Sequence, residues 1–246
     1  MRKYLILAVA AITALAVASF AFAGSFADDG IQTITAKLTP TKLDKKKYSP
    51  AKIFIDIKTG NNTGDAVAPN QPPSANRTIV DFPTNLKFDT TAVPNCEGTE
   101  AELQNTTTEQ AIAVCGKASI VSVPKTSAHV TVDQGASAPL AVPITVTAFN
   151  GTAKNQLYLH AKASTLPVTS VLVGKLKKGP TGYGNSLDVT IPPLLAGAID
   201  DFTTTVKAGK YVQARCKSKT NKFQARSFYT NHTPTVATFT TKCSQK

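Results

Sequence analysis

No tryptophan occurs in the 246-residue chain, and there are three histidines and four cysteines. Without tryptophan, the flat stacking platforms that carbohydrate-binding surfaces favour must come from Tyr48, Tyr158, Tyr183, Tyr211 and Tyr229. Packing in strands or core explains most such tyrosines without a ligand. His129, His160 and His232 fall at unrelated spacings and no Cys-x-x-Cys is present, which argues against zinc. There is no GxSxG elbow, no HExxH helix and no recognisable Cys–His set. Asp56, Asp81, Asp188, Asp200 and Asp201 are the acids a glycosidase would need, but sequence alone pairs none of them. KKGPTGYGN, at 177–185, lacks the lysine-terminated spacing of a P-loop and reads as a hairpin turn. The expectation is a protein that is not an enzyme and carries no cofactor.

Acidic residues are missing from a whole region. After Asp201 the chain has none, while Lys207, Lys210, Arg215, Lys217, Lys219, Lys222, Arg226, Lys242 and Lys246 follow. Most of the formal net charge of +12 therefore sits in this segment. A basic face attracts polyanions by long-range steering and counterion release. The candidate polyanion-binding residues are Lys207, Lys210, Arg215, Lys217, Lys219, Lys222 and Arg226. The plainer reading is a solvated lysine-rich surface that discourages edge-to-edge strand pairing. Lysines far outnumber arginines, so bidentate phosphate recognition is poorly served and nucleic acid is not the expected partner. Anionic wall polymers or envelope proteins are.

Long apolar runs are absent except at the start. Arg2 and Lys3 precede YLILAVAAITALAVASFAFA, and Ala21-Phe22-Ala23 gives the small-x-small pattern of a signal-peptidase site. Cleavage would begin the mature chain at Gly24; a cut after Ala27 is a second option, and an uncleaved anchor is the alternative reading. The expected organisation is a signal peptide at 1–23 and a single β-sandwich domain at 24–246, secreted or associated with the cell envelope.

From Ile31 onward the pattern is period-two alternation, rich in Thr and Val. Segments such as IQTITAKL, AKIFIDIK, RTIVDF, KASIVSV, PITVTAF, QLYLHAKA, VTSVLVGKL and YVQARCKS read as short strands. Their spacing predicts an all-β fold, an antiparallel β-sandwich of immunoglobulin-like or jelly-roll-like type. LDKKKYSP, at 43–50, reads as a charged connection whose lysines blunt an edge. TGNNTGDAVAPNQPPSAN, at 59–76, is a surface loop by composition. IPPLLAGAIDDF, at 191–202, suggests a strand end followed by a brief apolar turn or hook.

In an exported chain, Cys96, Cys115, Cys216 and Cys243 imply two disulfides, for which three pairings exist. Cys96–Cys115 with Cys216–Cys243 is favoured. The first pair brackets one unit, and adjacent antiparallel strands would bring the second together. All four glutamates, Glu97, Glu100, Glu102 and Glu109, lie between Cys96 and Cys115, with no Lys or Arg among them. Thr99–Glu102 and Thr107–Gln110 have capping-box spacing, so this stretch predicts a short stapled helical insert at about 97–115. Leu103, Ala111, Ile112 and Cys115 would form its apolar side. The glutamates then act as caps on a solvated face. Calcium ligation lacks the required loop pattern. Docking of the glutamates against the basic C-terminal region, within one molecule or between neighbours, is the third reading.

VDFPTNLKFDTTAVPNC, the acidic helical stretch and CGKASIVSV, followed by FNG, GYGNSLDVTIPPL and YVQARCKS, resemble uncharacterised secreted β-sandwich-like proteins of high-GC Gram-positive bacteria. The resemblance covers most of the mature chain. It implies an exported, β-rich, non-catalytic protein and supplies no catalytic residues. The reading reached is an exported non-catalytic envelope or extracellular protein with a structural or surface-binding role. A secreted glycan-directed hydrolase and a polyanion-binding protein are the alternatives.

Overall fold

Strict alternation in QTITAKLT produces the first strand, β1 (Gln32–Thr39), in which every second side chain is buried. The same physics, one face to the core and one to water, builds most of the molecule. A computed structural model describes residues 32–60, 72–122, 127–132, 140–192, 197–207, 209–230 and 232–246. The expected signal peptide with both cleavage options, most of the 59–76 loop and the centre of the apolar hook at 193–196 lie outside the described residues.

Two short pieces follow, β2 (Lys42–Leu43) and β3 (Ser49–Pro50), and then β4 (Lys52–Thr59), β5 (Ala75–Pro83) and β6 (Leu86–Phe88). The helical insert holds α1 (Glu100–Leu103) and α2 (Thr108–Cys115). After it come β7 (Ser127–Val132), β8 (Leu140–Asn150), β9 (Gln156–Ala163), β10 (Thr169–Lys178), β11 (Tyr183–Thr190) and β12 (Gly197–Val206). The chain ends with β13 (Val212–Ala214), β14 (Thr220–Tyr229), β15 (Thr235–Lys242) and β16 (Ser244–Gln245).

Eleven of these strands form one sheet in the order β1-β4-β12-β7-β8-β9-β10-β11-β5-β14-β15. Each neighbouring pair in it is antiparallel. The sheet folds over so that β1 returns against β15 and β14. The inward side chains of both layers, including Ile53, Ile55, Val80, Val146, Leu157, Leu176, Phe223 and Ala225, make one hydrophobic core. The all-β antiparallel class and the stapled helical insert expected from the sequence are thus observed. KKGPTGYGN is a hairpin turn as expected. Gly182 has φ +92°, which a side chain would strain, and Tyr183 N donates to Pro180 O at 2.9 Å.

Two segments depart from the sequence reading. The described part of KASIVSV, residues 117–122, is not a strand: Lys117–Ser119 is a 3-10 turn, and Ile120 and Ser122 make isolated bridges, to Phe149 and Val206. Ser119 Oγ donates to the Cys115 and Gly116 carbonyls, offering the backbone a local alternative to a ladder. YVQARCKS contributes only Val212–Ala214 to a strand, and that strand joins a separate three-stranded ribbon, β3-β13-β6. This ribbon and the parallel pair β2–β16 close one end of the folded sheet. Leu43, Ala51, Leu86, Val212, Ala214 and Cys216 from this stopper are buried in the main core.

The helical insert packs elsewhere, on the outer face of β8, β9 and β10. Leu103, Ala111 and the Cys96–Cys115 disulfide form a second small core with Phe149, Tyr158 and Val171. Both capping boxes exist. Thr99 Oγ1 accepts from Glu102 N while Glu102 receives the Thr99 amide, and Thr107 and Gln110 repeat the arrangement. The second disulfide, Cys216–Cys243, also forms, with Cα atoms 5.8 Å apart. Its route differs from the expected one. Cys216 lies in the turn between β13 and β14, and Cys243 follows β15 and donates its amide to Lys219 O at 2.8 Å.

Candidate functional site

The stopper end gathers basic residues from three parts of the sequence. Cys216 N donates to Asp44 O at 2.7 Å, which lays the 215–219 turn against the LDKKKYSP connection. Lys246 N donates to Leu43 O at 3.0 Å, and Ser244 pairs with Lys42, so the C-terminal residues lie alongside. Lys242 sits opposite Thr220. The result is a pole carrying Lys42, Lys45, Lys46, Lys47, Arg215, Lys217, Lys219, Lys242 and Lys246, all exposed except the half-buried Arg215.

Two buried or turn-forming polar residues shape this pole. Asn85, fully buried between β5 and β6, donates from Nδ2 to Ser218 O and Asn221 Oδ1. Its Oδ1 accepts from the amides of Lys217 and Ser218 at 3.0 and 3.2 Å, and its carbonyl accepts from Arg215 N. A single asparagine therefore holds the backbone that displays Arg215, Lys217 and Lys219. Asp44 does the same for the lysine-rich turn: Oδ1 accepts from Lys46 N at 2.6 Å and Lys47 N at 2.7 Å. Those backbone bonds, the Lys47 one foremost, hold its carboxyl below the usual range. Asp44 is the one acid of the LDKKKYSP connection, and its carboxylate is bound first by the backbone amides of its own turn, with the Lys47 and Lys246 charges adding less.

Of the seven candidate residues, the structure brings Arg215, Lys217 and Lys219 into the pole. Lys207 and Lys210 lie on the approach from β12 to β13, where Lys207 N donates to Val121 O. Lys222 stands on β14 with its ammonium 5.7 Å from the Tyr183 ring centroid. Arg226 is bound in a fork to Asp81, Nε to Oδ2 at 2.8 Å and Nη2 to Oδ1 at 3.0 Å, with Asp81 also receiving Ser186 Oγ. Lys45, Lys46 and Lys47 were legible only as an edge-blunting connection, because nothing in sequence places residue 46 beside residue 215.

Asp188 and Asp201, outside the pole, are partnered by cations. Arg77 forks onto Asp188, at 2.8 and 2.7 Å, and Lys177 reaches the same carboxylate at 2.7 Å. The Arg77 hydrogen bonds first, with Lys177 adding, lower the Asp188 pKa to about 2. Asp56 and Asp201 come together across β4 and β12, each 3.2 Å from Thr203 Oγ1. Burial and then the Asp201 charge raise the Asp56 carboxyl, while Lys58 stands 3.7 Å from Asp201. This is a pairing that sequence could not supply. Among the described residues the ion pairs are those of Asp201, Asp188 and Asp81, so none joins a glutamate of the insert to the basic pole. No group of three or more His, Cys, Asp or Glu among the described residues is placed to hold a metal ion. No described helix is long and apolar enough to cross a membrane.

His129 lies half-buried in β7 and His232 in the β14–β15 turn, its ring edge-on to Tyr229. His160 of β9 is fully buried beneath the insert, with Nε2 3.0 Å from Thr106 Oγ1. β7 and β9 are separated by β8, His232 lies in a turn elsewhere in the sheet, and the three histidines form no group with other metal-ligating side chains among the described residues.

No protein-family model matches the chain, and no curated protein matches it in sequence. Among solved structures, the N-terminal domain of the Streptococcus gordonii adhesin Sgo0707 is similar, with 10% identity and a TM-score of 0.34. The similarity covers 89% of this chain and 33% of that one, so the chain spans about a third of the solved chain's length.

Proposed function

We propose that the protein is an exported, non-catalytic envelope or extracellular protein that binds anionic wall polymers through its basic pole. The observation that carries this reading is the pole itself. Nine basic residues are held on a disulfide-bonded, hydrogen-bonded scaffold, and the acid in their midst, Asp44, is turned onto backbone amides. A scattered lysine surface would not need Asn85 and Asp44 to fix its display. The two disulfides support an oxidising compartment. Kinship with the secreted proteins of high-GC Gram-positive bacteria belongs to the same proposal.

The test is co-sedimentation of the protein with insoluble wall material and, separately, retention on immobilised poly(glycerol phosphate), at about 50 and about 300 mM salt. Retention at low salt that falls steeply at high salt, and falls further in the Lys45→Gln/Lys46→Gln/Lys47→Gln variant, is the expected result. Absence of retention at low salt, or retention indifferent to both salt and variant, would sink the reading.

A glycan-directed hydrolase is the second reading, and Asp56 with Asp201 is the pair it would use, the Asp56 carboxyl being raised by burial and by its neighbour. Release of reducing ends from wall glycan by the native protein, abolished by Asp56→Asn, would establish it in place of the first.

A further inference from the structure

Three arginines lie in the described residues, and they differ in what their guanidinium groups meet. Arg77 and Arg226 each present a fork to a carboxylate, Asp188 and Asp81, with every bond between 2.7 and 3.0 Å. Arg215 has no such partner. Its Nη1 reaches Lys46 O at 3.5 Å, a long contact, and its Nε is buried with no acceptor. The buried Nε is closed to an incoming ligand, so the groups of Arg215 that remain open to one are Nη1 and Nη2.

The side chain is nonetheless held in place. Its guanidinium carbon lies 4.5 Å from the centroid of the Tyr48 ring, so one face of the planar group is covered. Its backbone amide is fixed to Asn85 O at 3.0 Å, and the next residue, Cys216, is buried and cross-linked to Cys243. Stacking and backbone anchoring immobilise a guanidinium whose Nη groups no carboxylate among the described residues binds. That is the preorganisation a bidentate anion site requires.

Resting on the proposed polymer-binding role, we infer that Arg215, oriented by Tyr48, is the residue that grips one anionic group of the polymer through two parallel hydrogen bonds from Nη1 and Nη2. The group is a singly charged anion with two equivalent oxygens, a phosphodiester or a carboxylate. The surrounding lysines, Lys46 and Lys217 foremost, supply attraction without geometry. Two kinds of contribution follow: charge, which sets the salt dependence, and fork geometry, which sets the affinity at any one salt concentration.

The experiment separates them by fluorescence anisotropy with labelled glycerol-phosphate and galacturonate oligomers of equal charge, titrated at several salt concentrations. Arg215→Lys keeps the charge and loses the fork. It is expected to weaken binding about ten-fold, with the slope of log Kd against log salt unchanged. Tyr48→Ala, which frees the guanidinium, should weaken binding in the same direction. Lys45→Gln/Lys46→Gln should instead flatten the salt slope. The oligomer for which Arg215→Lys matters identifies the anion as phosphodiester or carboxylate.

If wild-type protein binds and Arg215→Lys and Tyr48→Ala both bind within two-fold of it in both arms, the inference is overturned and the polymer-binding role stands. If wild-type protein binds neither oligomer, both fall together. Should Arg215→Lys fail to fold by its thermal transition, the Tyr48→Ala result decides.

Discussion

Gln32 and Ser227 are 195 residues apart in the chain, and the Gln32 side chain donates to the Ser227 hydroxyl across the seam where the sheet folds back on itself. Gln32 opens β1 and Ser227 lies in β14, while Thr235 of β15 donates to the other end of the same amide at 3.2 Å. The two end strands of the sheet are thus joined by a buried side chain as well as by packing. All three residues are buried, and the Gln32 amide takes its partners from the two hydroxyls.

Replacing Gln32 with Ala should therefore cost about 1–3 kcal/mol, because it withdraws bonds from two buried hydroxyls. Ser227 keeps Thr78 and Thr235 keeps Tyr229, which places the loss below that of a fully orphaned pair. Urea denaturation of the variant measures it. A loss under about 0.5 kcal/mol would mean that the seam is held by packing alone.

Removing the first disulfide with Cys96→Ala/Cys115→Ala should lower stability by about 3 kcal/mol on the loop-entropy account. The insert has its own small core, separate from the main one, so the damage should stay local. Limited proteolysis should cut first within 97–115 in the variant. Peptide mapping without reductant should recover Cys96 with Cys115 and Cys216 with Cys243; linkage of Cys96 to Cys216 would contradict the placement of the pole.

Asp188 gives an acid-side signature. Its carboxyl is lowered from the ordinary 3.8 to about 2 by Arg77 and then Lys177. A depressed folded pKa means stability that is fully present above about pH 4 and is lost as pH falls toward 2. Asp188→Asn should cost about 1–2 kcal/mol at pH 7, since two half-exposed cations lose one shared partner. The gap between variant and wild type should shrink steeply between about pH 4 and pH 2. Denaturant midpoints at the two pH values test it, and a constant gap would contradict it.

His160 gives a signature nearer neutrality. Burial pushes the imidazole below its ordinary 6.5, while contacts at Thr106 and the Glu109 charge oppose this and Lys162 assists it. The folded protein therefore excludes a proton that the unfolded chain accepts, so stability declines as pH falls from about 7 through 6.5. His160→Asn should flatten the dependence of the thermal midpoint on pH between 5 and 7. Unchanged pH dependence would show that the ring is not the responsible group.

Local chemistry determined much of this protein. Two-residue periodicity produced the strands because alternate side chains must face core and water. The Thr99–Glu102 and Thr107–Gln110 spacings produced capped helices because a threonine hydroxyl and an acceptor three residues on satisfy free amides within one turn. The cysteine pairs followed from the same local logic, although Cys216 reached Cys243 from a turn rather than from a neighbouring strand. KASIVSV misled because Ser119 captured the Cys115 and Gly116 carbonyls, a choice that alternation does not register.

The pole was decided only by tertiary structure. Charge count showed where lysines lie along the chain, not that Asp44 would meet Cys216 or that Lys46 would stand beside Arg215. Nor could it show that Arg77 and Arg226 would be bound by buried aspartates while Arg215 was not. Those outcomes depend on strand order and on how the end of the sheet is stoppered, and both are set by long-range burial of side chains such as Leu43, Val212 and Asn85. Sequence determined the elements and their caps because their causes lie within a few residues. The arrangement of charge in space has causes about 170 residues apart.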